Sequence, residues 1–275
     1  MKPWIETYRG SVAPWECDVT EHFTIAYYFD RIEVAEATLA EELGLLERLR
    51  SGEFTRRYDV RFARELRAGS AFHVESGAIG VDGGLRLGHR FVDSVSGEPV
   101  TWFDVHWDGV PATLPSGRIG EWDGPEFEAR AEPSDLSGLA ASAAGRVQPR
   151  DLDEFGRLGL GGLVHKFTDS SVQTGAAIGL TADYINTGRR GFSTFELRLR
   201  IAGSLGLGGA FESHTGIVNL GNSSLRFLHV MSERESGREV ARLGQYGVQL
   251  DLDARRPAAL SPEFRERATK LVVPT

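Results

Sequence analysis

The sequence has almost no cysteine: Cys17 is the single one in 275 residues. One thiol cannot form an intrachain disulfide, and such a composition suits a reducing compartment. No apolar stretch approaches the length of a membrane span, and the opening MKPWIETYRG lacks the apolar core of a signal peptide. These absences predict a cytoplasmic protein with no membrane partner.

Positive charge is also in short supply. Lys and Arg number 31 against 39 Asp and Glu, a formal net charge of −8, so there is no general basic field to attract nucleic acid. The G-x-S-x-G, Walker, H-E-x-x-H and G-x-G-x-x-G motifs do not occur, and the 7 histidines show no metal-ligand spacing. We therefore expect no nucleic-acid partner, no metal and no other cofactor.

What the sequence does contain is an internal repeat. Residues 10–45 align without a gap with residues 145–180, and the match includes Asp18 with Asp153. Three shorter pairs continue it, namely 58–62 with 195–199, 96–100 with 236–240, and 125–131 with 262–268. A nearly constant spacing predicts two copies of one unit, residues 1–138 and 139–275. The copies should superimpose with Asp18 on Asp153 and Tyr58 on Phe195.

Each copy shows the same order of predicted elements. A strand at 8–16 leads through a polar corner into a helix that starts after Thr24 and stops at Gly44. Period-two strands follow in the first copy, and the second copy repeats the pattern with a helix near 159–178. Residues 109–144, rich in Pro, Gly, Ala and Ser, indicate a connection with one short helix. A long helix followed by an antiparallel meander predicts an α+β fold.

The corner Asp18-Val19-Thr20-Glu21-His22, with the helix that follows it and the strand RFARELRAGS at 61–70, carries a family resemblance. It resembles the double-hotdog thioesterases of the 4-hydroxybenzoyl-CoA thioesterase-like superfamily: the D-x-N-x-H corner of the acyl-ACP enzymes and the D-x-x-G-H corner of many acyl-CoA enzymes. The segment WECDVTEHFTIAYYF is also similar to betainyl-CoA thioesterases. Thr20 stands where the acyl-ACP enzymes have Asn, and Glu21 where many acyl-CoA enzymes have Gly.

The resemblance implies a tandem hotdog, in which each copy is a curled antiparallel sheet wrapped around a long central helix. It also implies hydrolysis of an acyl-CoA or acyl-ACP thioester. Asp18 is the expected general base or nucleophile, with His22 beside it. Thr20 and the start of the helix would bind the substrate and its oxyanion, and this expected set consists of Thr20, Thr24, Ile25, Ala26 and Tyr27.

Other interpretations of the same residues stay open. An Asp before a helix is often a turn or capping residue. In the second copy Arg157 replaces the histidine, so Asp153 and Arg157 form either a degenerate corner, which we expect, or a true site whose arginine binds CoA phosphate. Glu33 is a secondary candidate, as a solvated helix charge or as a carboxylate facing the pocket.

Alternative functions and the assembly also follow from the pattern. A hotdog hydratase/dehydratase or an inactive acyl-CoA-binding module would use similar residues. The 5 tryptophans, all in the first half, predict either an aromatic core or an acyl pocket that could cage a quaternary ammonium. The two units should pair through a shared sheet with their helices on its outer-facing sides, and the protein should be a monomer or a homodimer.

Overall fold

The computed structural model describes residues 3–111 and 113–275, and the strands in these ranges form one antiparallel sheet. In chain order the strands are β1 (Ile5–Ser11), β2 (Arg56–Phe62), β3 (Ala71–Gly80), β4 (Gly84–Asp93), β5 (Pro99–Asp108), β6 (Ala140–Arg146), β7 (Arg190–Ile201), β8 (Ala210–Leu220), β9 (Ser224–Glu233), β10 (Glu239–Asp251) and β11 (Arg256–Pro257). Across the sheet the order is β1-β3-β4-β5-β2-β7-β10-β9-β8-β6, with β11 attached to β10.

The sheet has the symmetry of a duplication. From each outer edge inward, the first half runs β1-β3-β4-β5-β2 and the second runs β6-β8-β9-β10-β7. The innermost strands, β2 and β7, pair antiparallel and join the halves. The predicted tandem hotdog of α+β class is confirmed, while the boundary between 1–138 and 139–275 stays a prediction.

Two long helices fill the concavity of the sheet. They are α1 (Ile25–Glu42) and α3 (Leu160–Ile178); the shorter helices are α2 (Leu46–Ser51), α4 (Ala182–Asn186) and α5 (Pro262–Thr269). α1 and α3 pack against each other as well as against the sheet, so the prediction that they lie on outer-facing sides was wrong. Their apolar stripes are broad enough to cover both neighbours, and side chains such as Ala26, Phe29 and Ile32 are fully buried. None of the helices in the described ranges is long and apolar enough to cross a membrane.

The register of the strands fixes which residues correspond. Asp18 and Asp153 start the same corner turn, and both long helices are followed by a left-handed glycine, Gly44 with φ 71° and Gly179 with φ 101°. The hairpins at 96–100 and 236–240 also match, since each contains a left-handed glycine. Residues of β5 therefore correspond to residues of β10 that lie 140 further along the chain.

One predicted correspondence is wrong by two residues. Just beyond β2 and β7, the N–H groups of Ala63 and Ala202 donate to matching carbonyls. This places Tyr58 on Leu197 instead of on Phe195. A bulge in β7, where the pairing with β10 skips Phe195, accounts for one residue of this shift.

The connection between the halves also differs from the prediction. Its described part contains a short 3-10 helix at Ser116–Arg118, and its Ala/Ser-rich end forms the edge strand β6. The small side chains of β6 show no clear alternation of apolar and polar residues. Its pairing with β8 is what identifies it as a strand. Residues 125–131 form no helix although the matching 262–268 lie in α5, because Ser261 caps α5 through the Phe264 N–H whereas Gly124 precedes the first segment. The entry strand ends at Ser11, before a 3-10 helix at Pro14–Glu16.

Candidate active site

Asp18 organises the first corner with one of its carboxylate oxygens. Its Oδ1 accepts the Thr20 N–H at 2.7 Å, the Thr20 hydroxyl at 2.6 Å and the His22 N–H at 3.2 Å. Asp18 is exposed, and its Oδ2 has no protein partner within the described ranges. Asp18 can therefore stabilise the turn through Oδ1 and still take part in chemistry through Oδ2.

The ring of His22 lies between this turn and the strand segment after β2. Its Nδ1 is 3.0 Å from the Thr20 Oγ1, and because the Thr20 proton goes to Asp18, Nδ1 is the donor. Its Nε2 lies 2.7 Å from Glu65 Oε2 and 3.1 Å from an Arg67 nitrogen. His22 thus links Glu65 through Thr20 to Asp18, and both ring nitrogens are held.

The start of α1 supplies backbone donors next to the corner. Thr24 is the N-cap residue but its side chain makes no cap bond. The Ile25 and Ala26 N–H groups, at the first helical positions, have no acceptor in the part of the chain that the structure describes. The Tyr27 N–H, by contrast, donates to Thr24 O at 3.0 Å, and the Tyr27 ring packs edge-on against His165 at 5.2 Å. Of the two unpaired donors, only that of Ile25 belongs to a residue that lines the cavity, because Ala26 is completely buried.

A cavity of about 780 Å³ opens at this corner. Its mouth is lined by Asp18, Thr20, His22, Thr24, Ile25 and Glu65. Its chamber extends into the second half of the fold, where its apolar wall includes Val164, Phe167, Phe192, Leu197, Phe227 and Leu243. The corner at the mouth therefore comes from the first copy and most of the apolar wall from the second, so the cavity depends on both.

Differences between the copies explain why the chamber lies in the second. In the first, Trp107 and Tyr58 fill the space between helix and sheet, and both donate to the buried carboxylate of Glu36. At the position of Trp107 the second copy has Gly247, which lines the cavity. A glycine in place of a tryptophan leaves the chamber empty. The segments matched in the sequence end before this strand position, so they did not reveal the difference.

The second corner is closed by its own residues. Asp153 Oδ2 pairs with the Arg157 guanidinium at 3.1 Å, and Arg157 also donates to Leu49 O at 3.3 Å and Arg50 O at 3.1 Å, at the end of α2. Arg157 therefore holds the end of α2 against the second corner.

The helix start in the second copy is also occupied. Glu33 Oε1 accepts the Leu160 N–H at 2.8 Å, so a carboxylate sits where Ile25 offers a free donor in the first copy. Burial raises the pKa of Glu33 to about 7. Glu33 does not line the cavity, and it contacts the second helix start instead.

The tryptophans do not line this cavity. Trp107 is completely buried in the core, and the Trp4 ring lies under the Arg90 guanidinium at 4.6 Å. Of the two alternatives for the tryptophans, Trp107 supports the aromatic core, and the alternative in which they line this acyl pocket or cage a quaternary ammonium there is wrong. Sequence reasoning also missed Glu65, although it lies in the RFARELRAGS strand that carries part of the resemblance.

Comparison with known proteins agrees with this architecture. A family model described as thioesterase-like superfamily matches residues 12–118 and 147–268, one match in each copy. No curated protein matches the chain significantly.

Similar solved structures share the fold at low sequence identity. An acyl-ACP thioesterase from Bacteroides thetaiotaomicron has a TM-score of 0.66 and 12% identity, over 89% of this chain and 98% of the other. A putative oleoyl thioesterase from Lactobacillus plantarum gives 0.64 and 12%, over 90% and 96%. The 12:0-ACP thioesterase from Umbellularia californica gives 0.59 and 16%, over 90% and 94%. With one family match in each copy of a tandem hotdog, the chain belongs to the thioesterase-like superfamily.

Proposed function

We propose that the protein hydrolyses an acyl thioester, carried by CoA or by acyl carrier protein, to a free acid and a thiol. The observation that carries this proposal is the mouth of the cavity, where a free carboxylate oxygen, a fixed histidine and the unpaired N–H group of Ile25 meet a mainly apolar chamber. The names of the similar structures, two acyl-ACP thioesterases and a putative oleoyl thioesterase, support the same class of substrate.

The chemistry assigns a part to each group at the mouth. The thioester carbonyl oxygen accepts a hydrogen bond from the Ile25 N–H group, where the helix dipole favours the charge that develops on it. Asp18 Oδ2 either removes a proton from the attacking water or attacks the carbonyl itself. The tetrahedral intermediate then collapses, the C–S bond breaks, and the thiolate leaves and takes up a proton. When water is the nucleophile this step releases the free acid directly. When Asp18 is the nucleophile it leaves an acyl anhydride on Asp18, and a water molecule then hydrolyses the anhydride to release the acid and restore the carboxylate.

Thr20 and His22 contact the Oδ1 side of the Asp18 carboxylate, away from the proposed substrate. The Thr20 hydroxyl donates to Oδ1 at 2.6 Å, and His22 Nδ1 lies behind that hydroxyl at 3.0 Å. These bonds hold the carboxylate in one orientation, so Oδ2 faces the substrate without reorganisation. Asp18 and His22 are therefore the proposed catalytic pair, in which His22 positions Asp18.

The second corner, in this proposal, is a degenerate copy retained for folding. Its carboxylate is neutralised by Arg157 and its helix start is filled by Glu33. We also propose that the protein is cytoplasmic, a location that its single cysteine suits. In the same proposal it is a monomer or a homodimer.

The test is release of free thiol from a panel of acyl-CoA and acyl-ACP substrates, followed with a thiol reagent. A reaction without substrate corrects for Cys17, which is the only thiol of the protein. We expect thiol release from at least one carrier, with saturation kinetics. If no member of either panel releases thiol while the protein still binds CoA, the proposal is wrong and the chain is a binding module.

A further inference from the structure

Three polar side chains that hydrogen-bond to one another lie in the mainly apolar wall of the chamber. Ser171 on α3 donates to Gln245 Oε1 on β10 at 2.6 Å, and Gln245 Nε2 donates to Thr194 Oγ1 on β7 at 2.8 Å. All three line the cavity. This polar cluster (Ser171, Thr194 and Gln245) takes no part in the chemistry at the mouth.

The polar cluster carries one hydrogen-bond donor more than its neighbours in the described ranges can accept. A primary amide has two N–H donors and one carbonyl oxygen. In the orientation above, one N–H goes to Thr194 and the other is free, while the amide oxygen faces Ser171 and His229. If the amide is turned over, its oxygen accepts from Thr194 and its nitrogen faces Ser171 Oγ and His229 Nε2. These two acceptors take two of the three N–H and O–H donors of Gln245 and Ser171, and one donor is left over. The cluster therefore has a surplus donor in either orientation of the amide.

A rigid network behind the cluster holds it in place. His229 Nδ1 lies 2.8 Å from Thr215 Oγ1, and since the Thr215 hydroxyl donates to Ser142, Nδ1 is the donor. Burial lowers the pKa of His229 to about 4, so its Nε2 is a bare acceptor, 3.4 Å from Ser171 Oγ. The cluster is anchored through Ser171 to residues that do not touch the cavity.

The described part of the first copy has no side-chain hydrogen-bond donor at the position of Gln245. Val105 occupies the position of Gln245, and Glu36 occupies the position of Ser171. Both oxygens of Glu36 accept hydrogen bonds from side chains that fill the space. The polar cluster is thus a feature of the hollow copy, and the fold does not require a polar residue there.

The repeat also shows which part of a substrate the cluster faces. Thr168 corresponds to Glu33, which touches the start of the opposite helix, and Thr168 lines the cavity together with Ile25. Ser171 lies one turn beyond Thr168 on α3, about 4.5 Å at the rise of an α-helix. The cluster therefore faces the acyl group close to the thioester carbonyl, and not the carrier.

We infer that Gln245 and its polar cluster select acyl groups that carry a hydroxyl or keto oxygen near the thioester. This inference rests on the proposed hydrolysis and names its substrate class. A plain alkyl chain leaves the surplus donor of the cluster unpaired against an apolar surface, while an oxygen on the chain accepts its hydrogen bond. A binding site with such a donor therefore favours the oxygenated acyl group over the analogue that lacks the oxygen.

The experiment compares kcat/KM for thiol release from a β-hydroxyacyl-CoA, the unsubstituted acyl-CoA and the ω-hydroxyacyl-CoA of one chain length. We expect the β-hydroxy compound to be preferred over both others by about tenfold, the value of one hydrogen bond between neutral groups. In Gln245→Leu the ratio should fall to about one. Thr194→Val, a smaller change in shape, should reduce the ratio in the same direction.

The matched control is Gln173→Leu, the same chemical change on the exposed side of α3. It should keep the wild-type ratio. Equal kcat/KM for the three compounds in the wild type overturns this inference but leaves hydrolysis standing. A ratio that survives Gln245→Leu overturns the role of Gln245. Absence of thiol release from every compound contradicts the proposed function itself.

Discussion

Replacing Glu33 with glutamine tests whether an ionisable carboxylate binds the Leu160 N–H at the start of α3. Burial is the main cause that raises the pKa of Glu33 from 4.5 to about 7, and the nearby charges of Asp153 and Asp30 add to it, while the Leu160 N–H and Arg56 oppose it. Glu33→Gln removes the charge but keeps an oxygen that can accept the Leu160 N–H. The variant therefore isolates the effect of ionisation.

The sign of the effect follows from proton linkage. The folded protein holds the proton of Glu33 more tightly than the unfolded chain, so the stability that this group contributes is complete below pH 4.5 and is lost as the pH rises through about 7. At about 1.4 kcal/mol per pH unit, the loss amounts to about 3 kcal/mol. Glu33→Gln should be more stable than wild type by up to about this amount at pH 8, and the advantage should vanish near pH 4.5.

The assay is urea unfolding of both proteins at pH 5 and at pH 8. The control is Glu41→Gln, an exposed position near the end of the same helix, which should follow the wild type at both pH values. If the difference in unfolding free energy between Glu33→Gln and wild type is the same at the two pH values, Glu33 is not a buried carboxylate at the start of α3 and the explanation of the closed second site fails.

Three further changes test the core, the chamber and the corner. Trp107→Phe should lower stability by about 2 kcal/mol, since the buried Glu36 carboxylate loses a donor; an unchanged urea midpoint would contradict this. Gly247→Trp, which gives the second copy the residue of the first, should lower the ratio of kcat/KM for long over short acyl chains, and a constant ratio would place the chamber elsewhere. Thr20→Val should lower kcat about tenfold with little effect on KM, because Asp18 loses one hydrogen bond to its charged form; a wild-type kcat would refute it.

Much of the fold was readable from the sequence because the repeat and the periodicity are local signals. The predicted helix near 159–178 is observed at Leu160–Ile178, and the predicted period-two strands of the first copy are observed as β2 to β5. β6 was missed because its Ala and Ser residues show no alternation, and only the pairing with β8 identifies it as a strand. The side-by-side packing of the two helices was also out of reach, because it depends on how the sheet curves.

The candidate site was predictable in part for the same reason. Asp18, Thr20 and His22 are neighbours in the chain, so their meeting at one corner needs no long-range contact. Gln245 and Gly247 lie more than 200 residues away from them in the sequence. Their importance appears only when the strand register shows which first-copy residues they replace.

The central claim, that the first corner carries the chemistry and the second does not, is tested most directly by Asp18→Asn beside Asp153→Asn. The two changes are chemically identical and sit at matching corners, and turnover should be measured at a temperature where circular dichroism shows both variants folded. Asp153→Asn should lower stability, because Arg157 loses its buried partner, but leave thiol release per folded molecule nearly unchanged. Asp18→Asn should lower thiol release by about 10²–10⁴ with little loss of stability. A large loss of turnover in Asp153→Asn with little in Asp18→Asn would contradict the account.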